Sequence, residues 1–108
     1  MSRRSSRKNT GHAPELMRRH ACAAARLLKT IGNENRLMIL CSLAEGEQSV
    51  SKLNQRLALS QSALSQHLAV LRREKLVETR RESQTIYYSL SSDEASALIQ
   101  LLYQTYCA

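Results

Sequence analysis

Two periods of apolar and polar positions run along the chain, and the change between them divides it into elements. From Ser60 to Arg73 the apolar residues Leu64, Leu68 and Leu71 recur at i, i+4 and i+7, which lays one buried stripe along a helix. The other face of its first two turns carries Ser62, Ser65 and Gln66, which are short or uncharged hydrogen-bonding side chains. Upstream, a helix is predicted over about residues 15–30, with Leu16, Leu27, Leu28 and the flanking Ile31 as its larger apolar residues. Its alanine-rich centre lets a neighbouring helix approach closely, and Gly32-Asn33 ends it. A second helix follows over about 34–44, burying Leu37, Leu40 and Cys41 and stopping at Gly46. Ser49 is placed to cap a third, about 50–57, and Leu59-Ser60 is a tight connection into the helix described first, which continues to about Lys75.

Beyond Lys75 the period drops to two. Val77 to Arg81 and Thr85 to Leu90 alternate as the strands of a hairpin around the polar tip Glu82-Ser83-Gln84, with Ile86, Tyr88 and Leu90 on one face. Ser91 or Ser92 caps a last helix, and Asp93 and Glu94 suit the positive end of its dipole. Ala95, Leu98, Ile99, Leu101, Leu102, Tyr103 and Tyr106 make this helix apolar almost all round. The predicted fold is mainly α with a small β-hairpin: four helices, the hairpin, then a fifth helix. A terminal helix apolar on every side needs more cover than one short chain supplies. A homodimer joined through the first and last helices meets that need.

The 108 residues allow one domain with one modest core. Residues 1–13 are polar, basic and closed by Gly11 and Pro14, so they read as a disordered arm ahead of a domain spanning 14–108. The formal net charge of +7 favours a polyanionic partner. Placement sharpens this, because Arg72, Arg73, Lys75, Arg80 and Arg81 directly follow the polar-faced helix, where a groove-reading helix needs phosphate contacts. Small polar groups at a helix N-terminus with cations behind them suit a DNA major groove, although an ordinary amphipathic surface helix has the same pattern. The chain has no apolar run of about 18 residues and no secretory leader, which points to the cytoplasm. Its three cysteines are an odd number without close spacing and are expected as thiols there. No nucleophile–base pair, phosphate loop or carboxylate dyad suggests an enzyme, and no cofactor is expected.

The span from about Leu27 to Cys107 resembles the ArsR/SmtB family of bacterial winged helix-turn-helix repressors. The resemblance is carried by Asn35-Arg36-Leu37-Met38-Ile39-Leu40, by Leu59 through Leu68, by Leu71-Arg72, and by Val77-Glu78-Thr79-Arg80-Arg81. It implies a dimer that occludes promoters and leaves DNA when an inducer binds or reacts. Gln61, Ser62, Ser65 and Gln66 are then the candidate readers of base edges. Arg72, Arg80, Arg81, Ser83, Gln84 and Thr85 are expected at phosphates or in the minor groove. His67 matches a histidine often found in the family, and packing or phosphate contact suits it as well as base contact does.

Metal-sensing members of the family often place paired cysteines where this chain has Ser49 and Ser51. Others bind zinc through histidines and carboxylates of the last helix, which here has no histidine and only Asp93 and Glu94 in its first turn. His12, His20 and His67 are scattered, so no tetrahedral ligand set has recognisable spacing. Cys41 and Cys107 remain. Their contexts, Ile39-Leu40-Cys41 and Leu102 through Cys107, resemble the persulfide- and redox-responsive branch of the family, the HlyU, BigR and SqrR type. That resemblance implies that reactive sulfur species or oxidants join the two sulfurs through a disulfide or polysulfide bridge. A direct disulfide needs Cα atoms within about 7 Å, and a longer sulfur chain relaxes the limit. Lone helical cysteines also serve as small buried apolar residues, and Cys22, which matches no position of that branch, reads as structural. A metal-responsive repressor using Cys41, Cys107 and a histidine of the arm, and a regulator that senses nothing, stay open as alternatives.

Overall fold

The computed structural model describes residues 13–107. In chain order these form α1 (Ala13–Arg18), α2 (Ala21–Ile31), α3 (Glu34–Leu43), β1 (Gln48–Ser49), α4 (Val50–Arg56), α5 (Gln61–Arg73), β2 (Val77–Glu82), β3 (Thr85–Leu90) and α6 (Asp93–Tyr106). The strands make one antiparallel sheet in the order β1-β3-β2. This is a winged helix-turn-helix, with α4 and α5 as the helix-turn-helix and β2-β3 as the wing.

Four helices begin on side-chain caps that satisfy an otherwise unpaired backbone N–H. Asn33 accepts from Arg36 N–H, Ser49 from Lys52, Ser60 from Ala63 and Ser92 from Ala95. Ser92, not Ser91, therefore starts the last helix. The end of α5 is also locally determined. Leu76 N–H donates to Leu71 C=O at 2.9 Å and Lys75 N–H to Arg72 C=O at 3.0 Å, the paired bonds of a Schellman turn. Lys75 holds the left-handed conformation there, at φ 65°. In the wing, Glu82 pairs with Thr85 across a two-residue loop whose first residue, Ser83, has φ 57°.

The core lies where α3, α4, α5 and α6 meet the sheet. Ile39, Leu40, Leu53, Leu64, Leu68 and Leu71 are its fully enclosed side chains, joined by Leu43, Val77, Ala95 and Ile99. Leu64, Leu68 and Leu71 are the stripe predicted from spacing. The last helix buries Ala95 and Ile99 but leaves Leu101, Tyr103 and Tyr106 at 56%, 61% and 80% exposure. Leu16, Met17 and Leu28 of α1 and α2 are exposed as well, so the first and last helices carry an uncovered apolar surface.

Two elements depart from expectation. The predicted first helix is broken at Arg19-His20: His20 N–H donates to Met17 C=O, and the helix restarts when Ala24 N–H donates to His20 C=O. Neither glycine nor proline marks the break, whereas Pro14 lies in the first turn of α1, where a missing N–H costs nothing. The hairpin gains a third strand, β1, which pairs Gln48 with Tyr88 and Ser49 with Tyr87. Two residues are too few for an alternation to register. Of the predicted arm, residues 1–12 fall outside the described part.

Leu68 is 2% exposed in a core built from few side chains. Leu68→Ala is expected to lower unfolding free energy by about 2–5 kcal/mol in urea titrations; a change within error would mean that α5 does not depend on this contact. Arg26 of α2 and Glu74, which follows α5, form a bidentate pair at 2.6 and 2.9 Å. The hydrogen bond from Arg26 holds the Glu74 carboxyl below the usual carboxylate range. Its folded-state pKa is thus lower than its unfolded one, and the stabilisation is present above about pH 4.5 and lost as pH falls through the folded value. The urea midpoint of Glu74→Gln should lie below that of the parent at pH 7, with the gap closing toward pH 3. Parallel profiles would contradict the pairing.

Candidate nucleic-acid interface and cysteine pair

Because Leu64, Leu68 and Leu71 face the core, the rotation of α5 is fixed, and Gln61, Ser62, Ser65 and Gln66 are all exposed on its outer side. Arg72 and Arg73 are exposed in its last turn, where cations suit the negative end of the helix dipole. His67 is half-buried between the two faces. An open cleft of about 1150 Å³ separates α4 and α5 from the wing. Gln61, Ser65 and Arg72 line it from α5, and Gln84 and Thr85 line it from the wing. Ser62, Gln66 and His67 lie elsewhere on α5, and Arg80 and Arg81 on β2, outside that lining.

The cleft also takes in Ser51, Gln55 and Arg73, together with Asn54. Ser51 and Gln55 are spaced i, i+4 on the side of α4 away from the buried Leu53, a signal that was available in the sequence. The Asn54 amide donates to Leu59 C=O at 2.9 Å and fixes the turn between α4 and α5. A concavity between helices and a β-hairpin that carries two arginines at one end fits a nucleic-acid backbone, with its neutral hydrogen-bonding groups left for base edges.

Arg80 and Arg81 differ in surroundings. The Arg80 guanidinium donates to both carboxylate oxygens of Glu47, at 2.7 and 3.0 Å, and to Glu82 at 2.9 Å. Hydrogen bonds to these two carboxylates raise its pKa. Arg81 is exposed and forms no ion pair among the described residues.

Helices α3 and α6 pack together and bring Cys41 and Cys107 into the same region. Cys41 is half-buried against the core. Burial pushes its thiol pKa up, and the charge of nearby Cys107 adds to the rise. Cys107 caps the C-terminus of α6, where its N–H donates to Tyr103 C=O, and it is exposed. Cys22, read above as structural, is exposed on α2. A small side chain on the outer face of a helix fills no gap in the core. Among the described residues, no three of histidine, cysteine, aspartate and glutamate gather as metal ligands, and His12 lies outside them.

Residues 33–79 match the family model described as bacterial regulatory protein, arsR family. The transcriptional activator HlyU of Vibrio cholerae is 56% identical over 91 residues, which cover 84% of each chain. The chain belongs to the arsR family. The biofilm growth-associated repressor of Agrobacterium fabrum is 47% identical over 92 residues, 85% of this chain and 79% of that protein. Reduced HlyU from Vibrio cholerae superposes with a TM-score of 0.82 at 54% identity, covering 87% of this chain and 99% of that one. As an arsR-family member the protein is a DNA-binding transcriptional regulator. No helix of the described residues is long and apolar enough to cross a membrane.

Arg81→Ala is expected to weaken binding to every duplex to a similar degree and to reduce the slope of log K against log salt by about 1. Fluorescence anisotropy across a salt series measures both. A loss confined to one base position would make Arg81 a sequence reader instead.

Proposed function

We propose that this arsR-family regulator is a dithiol-responsive repressor, which binds operator DNA as a homodimer and is released when Cys41 and Cys107 are joined by a disulfide or polysulfide bridge. The observation that carries the reading is the placement of these two thiols on neighbouring helices, one half-buried and one at the surface. Cys107 is the exposed sulfur that solutes reach first; Cys41, half-buried beside it, is the resolving thiol and attacks as its thiolate.

The chemistry balances without a bound cofactor. A hydropersulfide, RSSH, transfers its outer sulfur to Cys107, leaving Cys107–SSH and RSH. Cys41 then attacks the inner sulfur, and hydrogen sulfide departs as the disulfide forms. If both cysteines are persulfidated first, loss of one hydrogen sulfide leaves a trisulfide. A peroxide instead accepts the two electrons and two protons directly and leaves as water. In a reducing cytoplasm the resting form is the dithiol, bound to DNA.

Release follows from where the bridge lies. The exposed apolar residues on α1, α2 and α6 support a dimer built from the first and last helices. Two recognition helices in such a dimer must match half-sites about one DNA turn apart. Tying α6 to α3 changes how the subunits sit on each other and spoils that spacing. A loss of ~2.7 kcal/mol reduces operator affinity about a hundredfold. Gln61, Ser62, Ser65 and Gln66 read base edges, while Arg72, Arg81, Gln84 and Thr85 position the protein on the backbone. His67 stands beside them. One relative is named an activator and another a repressor; a repressor that displaces another DNA-binding protein produces both outcomes.

Cys41→Ser and Cys107→Ser are each expected to bind operator DNA like the parent and to stay bound after treatment with inorganic polysulfide. Gel-shift titration of the three proteins before and after treatment gives the comparison. Release of either variant by polysulfide would rule out the two-thiol switch.

A further inference from the structure

We infer that Arg80 is a positioning residue that brackets the wing to the helix-turn-helix, and not one of the cations that hold DNA phosphates. Its guanidinium uses three N–H donors on two carboxylates, bidentate on Glu47 and single on Glu82. It also lies 4.6 Å from the centroid of the Tyr87 ring, so one face is covered as well. These partners come from β2, from β3 and from the residue that leads into β1. Glu47 immediately precedes β1, Arg80 and Glu82 belong to β2, and Tyr87 sits opposite Arg80 on β3. Since β1 runs straight into the Ser49 cap of α4, the bracket joins the wing to the start of the helix-turn-helix.

The β1–β3 ladder holds this junction with only two residue pairs. A bidentate guanidinium–carboxylate pair is directional and resists shear in its own plane. With it in place, Gln84 and Thr85 stand over the cleft that Gln61 and Ser65 line from the other side. A phosphate that recruited Arg80 would have to compete with the pair for the guanidinium, or reach its two remaining N–H donors past two carboxylates that repel it. Arg81, whose side chain points to the opposite face of β2, carries no such commitment.

The inference rests on the wing meeting DNA, and the salt slope of Arg81→Ala tests that separately. The decisive experiment measures affinity for one in-vitro-selected duplex, over a salt series, for Glu47→Gln, Arg80→Lys, Arg80→Ala and the Glu47→Gln/Arg80→Ala double variant. Glu47→Gln removes a negative charge near DNA, so simple electrostatics makes it bind more tightly. A bracket makes it bind more weakly, by about fivefold, and the double variant no more weakly than Arg80→Ala alone. Arg80→Lys keeps the charge but loses the bidentate geometry, so it should bind as weakly as Arg80→Ala, with the parent salt slope in both. Amide exchange at Gln84 and Thr85 should quicken in all four while the core amides stay protected, which separates a loosened wing from a misfolded chain. Tighter binding by Glu47→Gln, or recovery of parent affinity by Arg80→Lys, would overturn the inference and make Arg80 a phosphate ligand.

Discussion

The orientation of α5, and with it the polar face proposed to meet DNA, depends on the burial of three leucines along its other side. Leu64, Leu68 and Leu71 are almost wholly enclosed, against a core to which Ile39, Leu40 and Leu53 contribute from α3 and α4. That contact contributes stability and also sets rotation. With one stripe of the helix held against the core, the opposite stripe has to face outward, and Gln61, Ser62, Ser65 and Gln66 are the residues on it. A helix held only by exposed polar contacts would present a blur of orientations, and base-edge hydrogen bonds tolerate little misplacement. The cap at Ser60 and the Schellman turn at Lys75 add a defined start and stop, so the exposed polar face also has a fixed length.

The same elements show what was legible in the sequence. A period of 3.6 over thirteen residues and a period of two over each wing strand are long enough to declare themselves, and Ser49 and Ser92 cap helices where their chemistry predicts. The features that stayed hidden are tertiary. β1 is two residues long and exists because β3 offers it an edge. The break at His20 has no local breaker. Glu47 reads as one more loop acid until the sheet brings Arg80, thirty-three residues away, onto it. For the same reason Arg80 and Arg81 look equivalent in a basic cluster, and the fold separates them.

The cysteines divide in a similar way. Spacing alone places Cys41 on a helix and Cys107 near the end of another. Packing of α3 on α6 makes them neighbours with different exposure, a property that no linear pattern holds. Two thiols with unequal access suit a sequential reaction in which one sulfur is captured and the other resolves it. Cys107 ends the helix whose outward face is apolar and uncovered, so a bond from it to Cys41 would act on the surface proposed for dimer contact.

Intact-mass spectrometry of DNA-bound and DNA-free protein, separated after exposure to less than one equivalent of polysulfide, tests the central claim most directly. The two-thiol switch predicts that Cys41–Cys107 bridged protein accumulates in the free fraction while the bound fraction remains reduced. Bridged protein distributed equally between the two fractions would contradict it.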